Sequence, residues 1–356
     1  MIHILAFLFV LGILIFIHEL GHFLIAKLGG VKVLKFSLGF GPKLIGKRIG
    51  ETEYRISALP LGGYVKLLGD EPGEKVAQED ERRAFLHQPV RMRMAIVAAG
   101  PLANMLLAAI IFSLLFYVGI PQLSPVVGKV VDGFPAQKAG VRPGDVILRV
   151  NNEEITQWSD LLSVIPRSEG RELQLTLKRG EEIITIRVTP RAVTGKSIFG
   201  EETKSYQVGI VPSGETVLKR EPVHVAVGKG FYQTWYVSKL VVVSIAKIIQ
   251  RVIPAKTIGG PILIAQLAGK QAQEGLLSLI FFTAVLSINL GIINLFPIPI
   301  LDGGHLLFLT LESIIRRPLS VKKLELAQQI GLIIIILLMV FAFYNDIMRI
   351  IPQGAK

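Results

Sequence analysis

Four apolar segments, each long enough to cross a lipid bilayer, restrict the fold of this chain more than any other feature of its sequence. They lie within residues 1–26, 92–120, 276–301 and 324–349. A membrane-spanning helix needs about 20 predominantly apolar residues. Charged residues make up only 19% of the sequence, whereas soluble proteins carry about 25%. The sequence therefore predicts a polytopic α-helical membrane protein with four transmembrane helices and excludes a purely soluble protein.

The distribution of basic residues predicts how these helices are oriented. No Lys or Arg precedes Lys27, whereas residues 27–91 contain 12 of them. Short cytosolic loops of membrane proteins carry such an excess. We therefore expect the N-terminus and residues 121–275 to lie outside, and residues 27–91 and the turn at 302–323 to lie in the cytosol. The first segment lacks a basic stretch and a small-residue cleavage site, which favours an uncleaved helix over a signal peptide.

The net charge of +12 comes mainly from segments that flank the apolar ones. Residues 214–275 carry 8 basic and 3 acidic side chains, and Lys239, Lys247 and Arg251 share roughly one helical face. This pattern predicts an interfacial amphipathic segment on the outer surface, with an inserted helix as the alternative. Because no basic stripe interleaved with aromatic residues occurs in the sequence, the expected partner is the lipid bilayer and not nucleic acid.

The motif HELGH, residues 18–22, interrupts the first apolar segment. On a helix, the four-residue step puts His18 and His22 on one face, where both imidazoles can bind one Zn²⁺ with Glu19 beside it. Ionisable groups inside an apolar helix are costly and mark functional sites. In the alternative interpretation, the histidines bond to neighbouring helices and Glu19 is neutral or paired.

A catalytic zinc needs a third protein ligand and an open position for water. The third apolar segment ends in NLFPIPILDGGH, residues 294–305, and the chain has no cysteine to supply a thiolate. The first and third segments are both predicted to run from outside to the cytosol, so HELGH and Asp302 fall near the same side. Asp302 is therefore the predicted third ligand, in preference to His305. This argument requires that residues 237–253 do not span the membrane.

Residues 121–213 are predicted to form a small β-rich extracytoplasmic domain, because short β-branched alternations occur at 173–177 and 183–188. The run FPAQKAGVRPGDVILRVNNEEI, residues 134–155, resembles the PDZ domains of bacterial envelope proteases, with Asp145 capping a turn. The resemblance implies binding of an extended peptide or a C-terminus at a sheet edge. It places Gly209 and Ile210 in the peptide-binding loop. The alternative is a soluble insert without a specific role.

HELGH, AGPLAN at 99–104, the PDZ-like insert and NLFPIPILDGGH occur in this order along nearly the whole chain. Together they resemble the site-2 protease family of intramembrane zinc metalloproteases, in the bacterial RseP type but with a single PDZ domain. The resemblance implies that Zn²⁺ is bound by His18, His22 and Asp302. It implies that Glu19 is the general base and that Asn294 engages the substrate backbone or the developing oxyanion.

The same resemblance implies substrate-binding residues around the metal, namely Asn294, Pro297, Pro299, Gly62 and Gly63. LGFGP at 38–42 and LGGYVKLLGD at 61–70 resemble the membrane-reentrant β-segments of the family, which are thought to pair with an extended substrate. Ordinary cytosolic turns are the alternative for these glycine-rich stretches.

As a family member, the chain is expected to be a zinc metalloendopeptidase of the bacterial cytoplasmic (inner) membrane. Its expected substrates are single-span membrane proteins already trimmed by another protease, such as anti-sigma factors and remnant signal peptides, cut within or near their transmembrane helices. Two alternatives stay open on the residues alone: a non-proteolytic membrane zinc transporter or sensor, and a PDZ peptide-binding scaffold.

Overall fold

The computed structural model describes residues 1–71, 73–197, 200–317 and 320–351. The chain divides into two compact units, which we call the helical unit and the β unit. The helical unit consists of Met1–Leu115, Val223–Ala246 and the described residues of Pro254–Lys356, and the β unit consists of Phe116–Pro222 and Lys247–Ile253.

The helices, in chain order, are α1 Ile2–Leu28, α2 Val90–Val118, α3 Pro135–Lys138, α4 Trp158–Arg167, α5 Val223–Ile249, α6 Pro261–Glu274, α7 Leu276–Asn294, α8 Asp302–Ile315 and α9 Val321–Ile350. Among the described residues, α1, α2, α7 and α9 are long and apolar enough to cross a membrane. The prediction of four apolar spanning helices is therefore confirmed at the level of length and composition. The third predicted segment consists of α7 followed by a non-helical stretch at 295–301.

The strands, in chain order, are β1 Val33–Ile49, β2 Thr52–Leu67, β3 Ile120–Leu123, β4 Val127–Val130, β5 Val146–Val150, β6 Glu153–Glu154, β7 Leu173–Arg179, β8 Glu182–Val188, β9 Arg191–Lys196, β10 Glu202–Gln207, β11 Ile210–Pro212 and β12 Thr216–Lys219. Within the helical unit, β1 and β2 form a long antiparallel hairpin with several irregularities of register. The glycine-rich stretch 38–42 lies inside β1, and residues 61–67 lie inside β2. These stretches are therefore strands and not turns.

Small residues let the helices of the helical unit approach closely. A Cβ atom on Gly21 of α1 would lie 2.3 Å from the carbonyl oxygen of Ala99 on α2, and one on Gly291 of α7 would lie 2.9 Å from the carbonyl oxygen of Pro101. Close backbone contact through glycine is a common way for membrane helices to associate. The middle of α2 is thus in contact with both α1 and α7.

The β unit is built around a four-stranded antiparallel sheet in the order β6-β5-β7-β8. The β-branched alternations at 173–177 and 183–188 lie in β7 and β8, which pair with each other in antiparallel fashion. Ile147 and Val150 of β5 are fully buried. The predicted cap is also present, because a carboxylate oxygen of Asp145 accepts a hydrogen bond of 2.8 Å from the backbone N–H of Arg142.

Candidate functional site

HELGH lies within α1, which continues unbroken from Ile2 to Leu28. His18 and His22 face the same side of this helix, with their Nε2 atoms 3.3 Å apart. Both side chains are largely buried, with 12% and 15% of their surface exposed. The two imidazoles therefore converge on one point beside α1, as their spacing predicts.

Asp302 is the first residue of α8. Its Oδ2 atom lies 3.1 Å from Nε2 of His18 and 3.5 Å from Nε2 of His22. The helix can begin at this place because Gly303 and Gly304 have no side chain: a Cβ on either would lie 2.3 Å from backbone atoms of residues 295–298. Among the described residues, the structure groups Asp302, and not His305, with the two imidazoles.

The three atoms fit a metal ion. The ligand atoms of His18, His22 and Asp302 lie within 4.8 Å of one another. Neighbouring ligands of a tetrahedral zinc with bonds of about 2.0–2.2 Å are about 3.3–3.6 Å apart, close to the 3.1, 3.3 and 3.5 Å found here. Oδ2 of Asp302 is also buried without a hydrogen-bond partner among the described residues. A cation at this point would satisfy it.

The backbone of α2 holds the ring of His22. Nδ1 of His22 lies 2.8 Å from the carbonyl oxygen of Ile96, to which it donates a hydrogen bond. A histidine that donates through Nδ1 keeps the lone pair of Nε2 for a metal. The orientation of His22 is therefore the one that metal binding requires.

Two further residues of α2 touch the histidines, and no role was predicted for either. A Cβ on Gly100 would lie 2.2 Å from Nε2 of His22 and 2.9 Å from Cε1 of His18. Asn104 is fully buried, and its Nδ2 lies 3.3 Å from Nδ1 of His18. Both belong to AGPLAN and stand four residues apart, the same step as the histidines. A glycine and an asparagine at the spacing of the two histidines, within an apolar helix, are the sequence signal that could have identified these residues.

Glu19 follows the first histidine and lies against β2. A Cβ on Gly63 would lie 2.9 Å from Cγ of Glu19, so the bare backbone of β2 passes beside the side chain. Among the described residues, the Glu19 carboxylate makes no hydrogen bond and no ion pair. Gly62 is covered by a ring, because a Cβ there would lie 2.1 Å from Phe40.

Among the described residues, no hydrogen bond connects Asn294, Pro297 or Pro299 with the histidines or with Asp302. Asn294 is the last residue of α7, while Pro297 and Pro299 lie in the non-helical stretch before α8. Pro299 contacts α9, where a Cβ on Gly331 would lie 3.2 Å from it. Their predicted roles toward substrate stay predictions.

Gly209 and Ile210 line an apolar cavity of about 460 Å³ in the β unit. Helix α4 contributes Trp158 and Leu161 to one side, and residues of β10 and β11 form the other. Gly209 has a positive φ of 84°, and a Cβ there would lie 2.1 Å from Phe134. Glycine is thus required at this position, and the cavity lies where the sequence predicts that a peptide binds.

Known proteins resemble this chain over most of its length. A protein of Rhizobium meliloti (strain 1021) named "Putative zinc metalloprotease R01501" is 36% identical, and the match covers 96% of this chain and 95% of that protein. "Regulator of sigma-E protease RseP" of Salmonella typhimurium (strain 14028s / SGSC 2262) is 32% identical, with 97% of this chain and 98% of that protein covered.

One solved structure is similar to part of the chain. The PDZ domain of an SdrC-like protein from Listeria monocytogenes is 18% identical, covers 27% of this chain and 88% of its own, and has a TM-score of 0.20. The PDZ assignment stays a prediction. The family comparison is far broader, because the model of peptidase family M50 matches residues 6–338. The chain belongs to peptidase family M50.

Proposed function

We propose that this chain is a zinc metalloendopeptidase that cuts peptide bonds within or near the transmembrane helices of other proteins. The observation that carries the proposal is the convergence of His18, His22 and Asp302 within 4.8 Å, on and between helices apolar enough to lie in a bilayer. Relatives named as zinc metalloproteases support the identity of the metal.

In this proposal, His18, His22 and Asp302 would hold the zinc. Zinc held there would supply a Lewis acid that favours ionisation of water and polarises a carbonyl oxygen. Glu19 lies directly after His18 and accepts a proton from the water that attacks the scissile carbonyl carbon. It then passes the proton to the amine that leaves, which is general base and general acid catalysis by one carboxylate.

A transmembrane helix must be locally unwound before its backbone can reach such a site, because its peptide groups are bonded internally and shielded from water. The contact between Gly63 and Glu19 supports β2 as the place where an extended substrate lies, with Gly62 and Gly63 as the substrate-binding residues of this strand. Asn294 donates to the developing oxyanion, and Pro297 and Pro299 keep the chain open beside it.

We further propose that the substrates are single-span proteins already trimmed by another protease, including anti-sigma factors and remnant signal peptides. The relative named as a regulator of sigma-E protease supports this class. The protein would lie in the bacterial inner membrane, with its N-terminus and the β unit outside and the site toward the cytosol. The β unit would act as a PDZ-like filter or tether, with Gly209 and Ile210 contacting a peptide.

The variant Glu19→Gln tests the catalytic proposal. The purified chain is reconstituted in liposomes with a single-span test protein, and zinc content and cleavage are measured side by side. We expect wild type to cut the test protein, and E19Q to keep its zinc and lose cleavage. The control Glu274→Gln changes a partly exposed residue at the end of α6 and should cleave like wild type. Equal cleavage by E19Q would overturn the proposal.

A further inference from the structure

Behind the first histidine, α2 places a buried amide whose contacts are incomplete. Asn104 has no exposed surface, and its Nδ2 lies 3.3 Å from Nδ1 of His18. Its Oδ1 is buried without a hydrogen-bond partner among the described residues. The backbone carbonyl of Asn104 is satisfied separately, by the hydroxyl of Ser287 on α7 at 2.7 Å. Among the described residues, the side chain therefore makes no hydrogen bond other than the one to His18.

The nitrogen of His18 that faces the other two candidate metal ligands determines which ring nitrogen carries the proton. Nε2 of His18 is the atom that faces Nε2 of His22 at 3.3 Å and Oδ2 of Asp302 at 3.1 Å. A neutral imidazole that offers the lone pair of Nε2 carries its proton on Nδ1. Nδ1 must then donate a hydrogen bond, and an amide NH₂ group cannot accept one. An oxygen is needed at the place that faces Nδ1.

A half-turn of the Asn104 amide supplies that oxygen. The turn exchanges Oδ1 and Nδ2 at almost the same two positions. Because Oδ1 has no partner and Nδ2 contacts only the ring of His18, the exchange breaks no other hydrogen bond of the described residues. The amide thus follows the tautomer that the ring adopts.

The arrangement repeats what α2 does for the second histidine. The carbonyl oxygen of Ile96 accepts the hydrogen bond of Nδ1 of His22 at 2.8 Å. Ile96, Gly100 and Asn104 are each four residues apart, so they lie on one face of α2. This face of α2 offers His22 an acceptor at Ile96, leaves space for both rings at Gly100 and places the Asn104 amide beside His18. Its four-residue spacing matches that of the two histidines in HELGH.

We propose that Asn104 is a positioning residue for the metal site: its Oδ1 accepts the Nδ1–H of His18 and holds the ring with Nε2 toward the zinc. This inference rests on the proposed function, since it concerns the same metal. Hydrogen-bond partners of metal-binding histidines fix the ring and raise its basicity, and their loss typically costs about 10–100-fold in metal affinity.

The test is the zinc affinity of the full-length chain in detergent, measured by competition with a chromophoric chelator. Asn104→Leu has a similar size and no acceptor, and we expect it to bind zinc about 10–100-fold more weakly than wild type. Asn104→Asp keeps an acceptor oxygen and should bind within a few-fold of wild type or more tightly. Ser287→Ala removes only the bond to the Asn104 backbone and should leave zinc affinity unchanged.

Two results would overturn the inference: N104L that binds zinc as tightly as wild type, or N104D that loses as much affinity as N104L. Thermal unfolding of each variant separates loss of the metal site from loss of the fold, and Asn104→Ala takes the place of N104L if the latter does not fold. A wild-type chain that binds no zinc would instead contradict the proposed function. Because that outcome concerns wild type alone, the two failures are distinguishable.

Discussion

Gly100 lies so close to the candidate metal site that a side chain at this position would collide with the histidine rings. Its missing side chain is what allows His18 and His22 to approach α2, since a Cβ would lie 2.2 Å from Nε2 of His22. The spacing of HELGH predicted that His18 and His22 share a helix face, and the structure places Asp302 beside them. Gly100 and Asn104 were not predicted, because their roles exist only once α2 packs against α1 in one register.

Gly100→Ala should displace the ring of His22 and reduce the zinc bound by the purified chain at least tenfold. Alanine is otherwise favoured over glycine in a helix by about 1 kcal/mol, so helix propensity works against the expected loss. The matched control is Gly12→Ala in α1, where nothing lies within 4 Å of an added Cβ. Zinc stoichiometry by atomic absorption checks both variants. A G100A chain with full zinc would show that the rings need no such gap.

Asp145 links pH to the stability of the β unit. Burial works against ionisation of its carboxyl group, but hydrogen bonds from Arg179 and from the backbone N–H of Arg142 outweigh burial and hold its pKa below the ordinary value. The charged form is therefore stabilised in the folded state. Its contribution is complete above the ordinary Asp pKa of about 3.9 and is lost as pH falls through the lower pKa of the folded state.

Asp145→Ala should lower the free energy of unfolding of the β unit by about 3 kcal/mol near pH 7, since hydrogen bonds to charged groups contribute about 1.5–3 kcal/mol each. It should also flatten the acid dependence below pH 4. The chain has 2 tryptophans, so Trp235→Phe leaves buried Trp158 as the only reporter for denaturation of the full chain. Glu181→Gln, at a residue with 96% of its side chain exposed, is the control. Equal stability of D145A and E181Q would contradict the expected role.

At the scale of elements, α2 organises the helical unit through contacts with small residues of its neighbours. Gly230 of α5 shows this most clearly, because a Cβ there would lie 2.1 Å from Oγ of Ser113 and 2.8 Å from the carbonyl oxygen of Ala109. Apolar length predicted α2 itself. Which of its faces meet α1, α5 and α7 depends on pairs of residues far apart in the chain, which one sequence does not reveal.

Replacing glycine with alanine at two positions of α5 tests the contact of this helix with α2. Gly230→Ala should lower the thermal unfolding temperature, because overpacking typically costs about 1–3 kcal/mol. Gly228→Ala adds the same methyl group where nothing lies within 4 Å and should be neutral or stabilising. Scanning calorimetry of both chains in the same detergent gives the comparison. If both variants shift alike, the contact of α5 with α2 contributes nothing to stability.

At the scale of the whole molecule, the fold class could be predicted from the length of the apolar segments and from the alternation of side chains along strands. Apolar segments of bilayer length predict helices, and β-branched alternation predicted β7 and β8. The stretches 38–42 and 61–67 were harder, because Gly-rich sequence suits turns as well as strands, and only their pairing in one hairpin distinguishes the two. The segment 237–253 overlaps α5, which begins earlier, at Val223; its depth in the membrane stays a prediction.

The position of the cut is the most direct test of the central claim that a metal site among apolar helices hydrolyses membrane-embedded chains. Wild type and E19Q are reconstituted with a single-span test protein, and the products are mapped by mass spectrometry. We predict a cut within or beside the transmembrane helix by wild type and no cut by zinc-loaded E19Q. Cleavage only in the extramembrane part, or the same cut by E19Q, would contradict the claim.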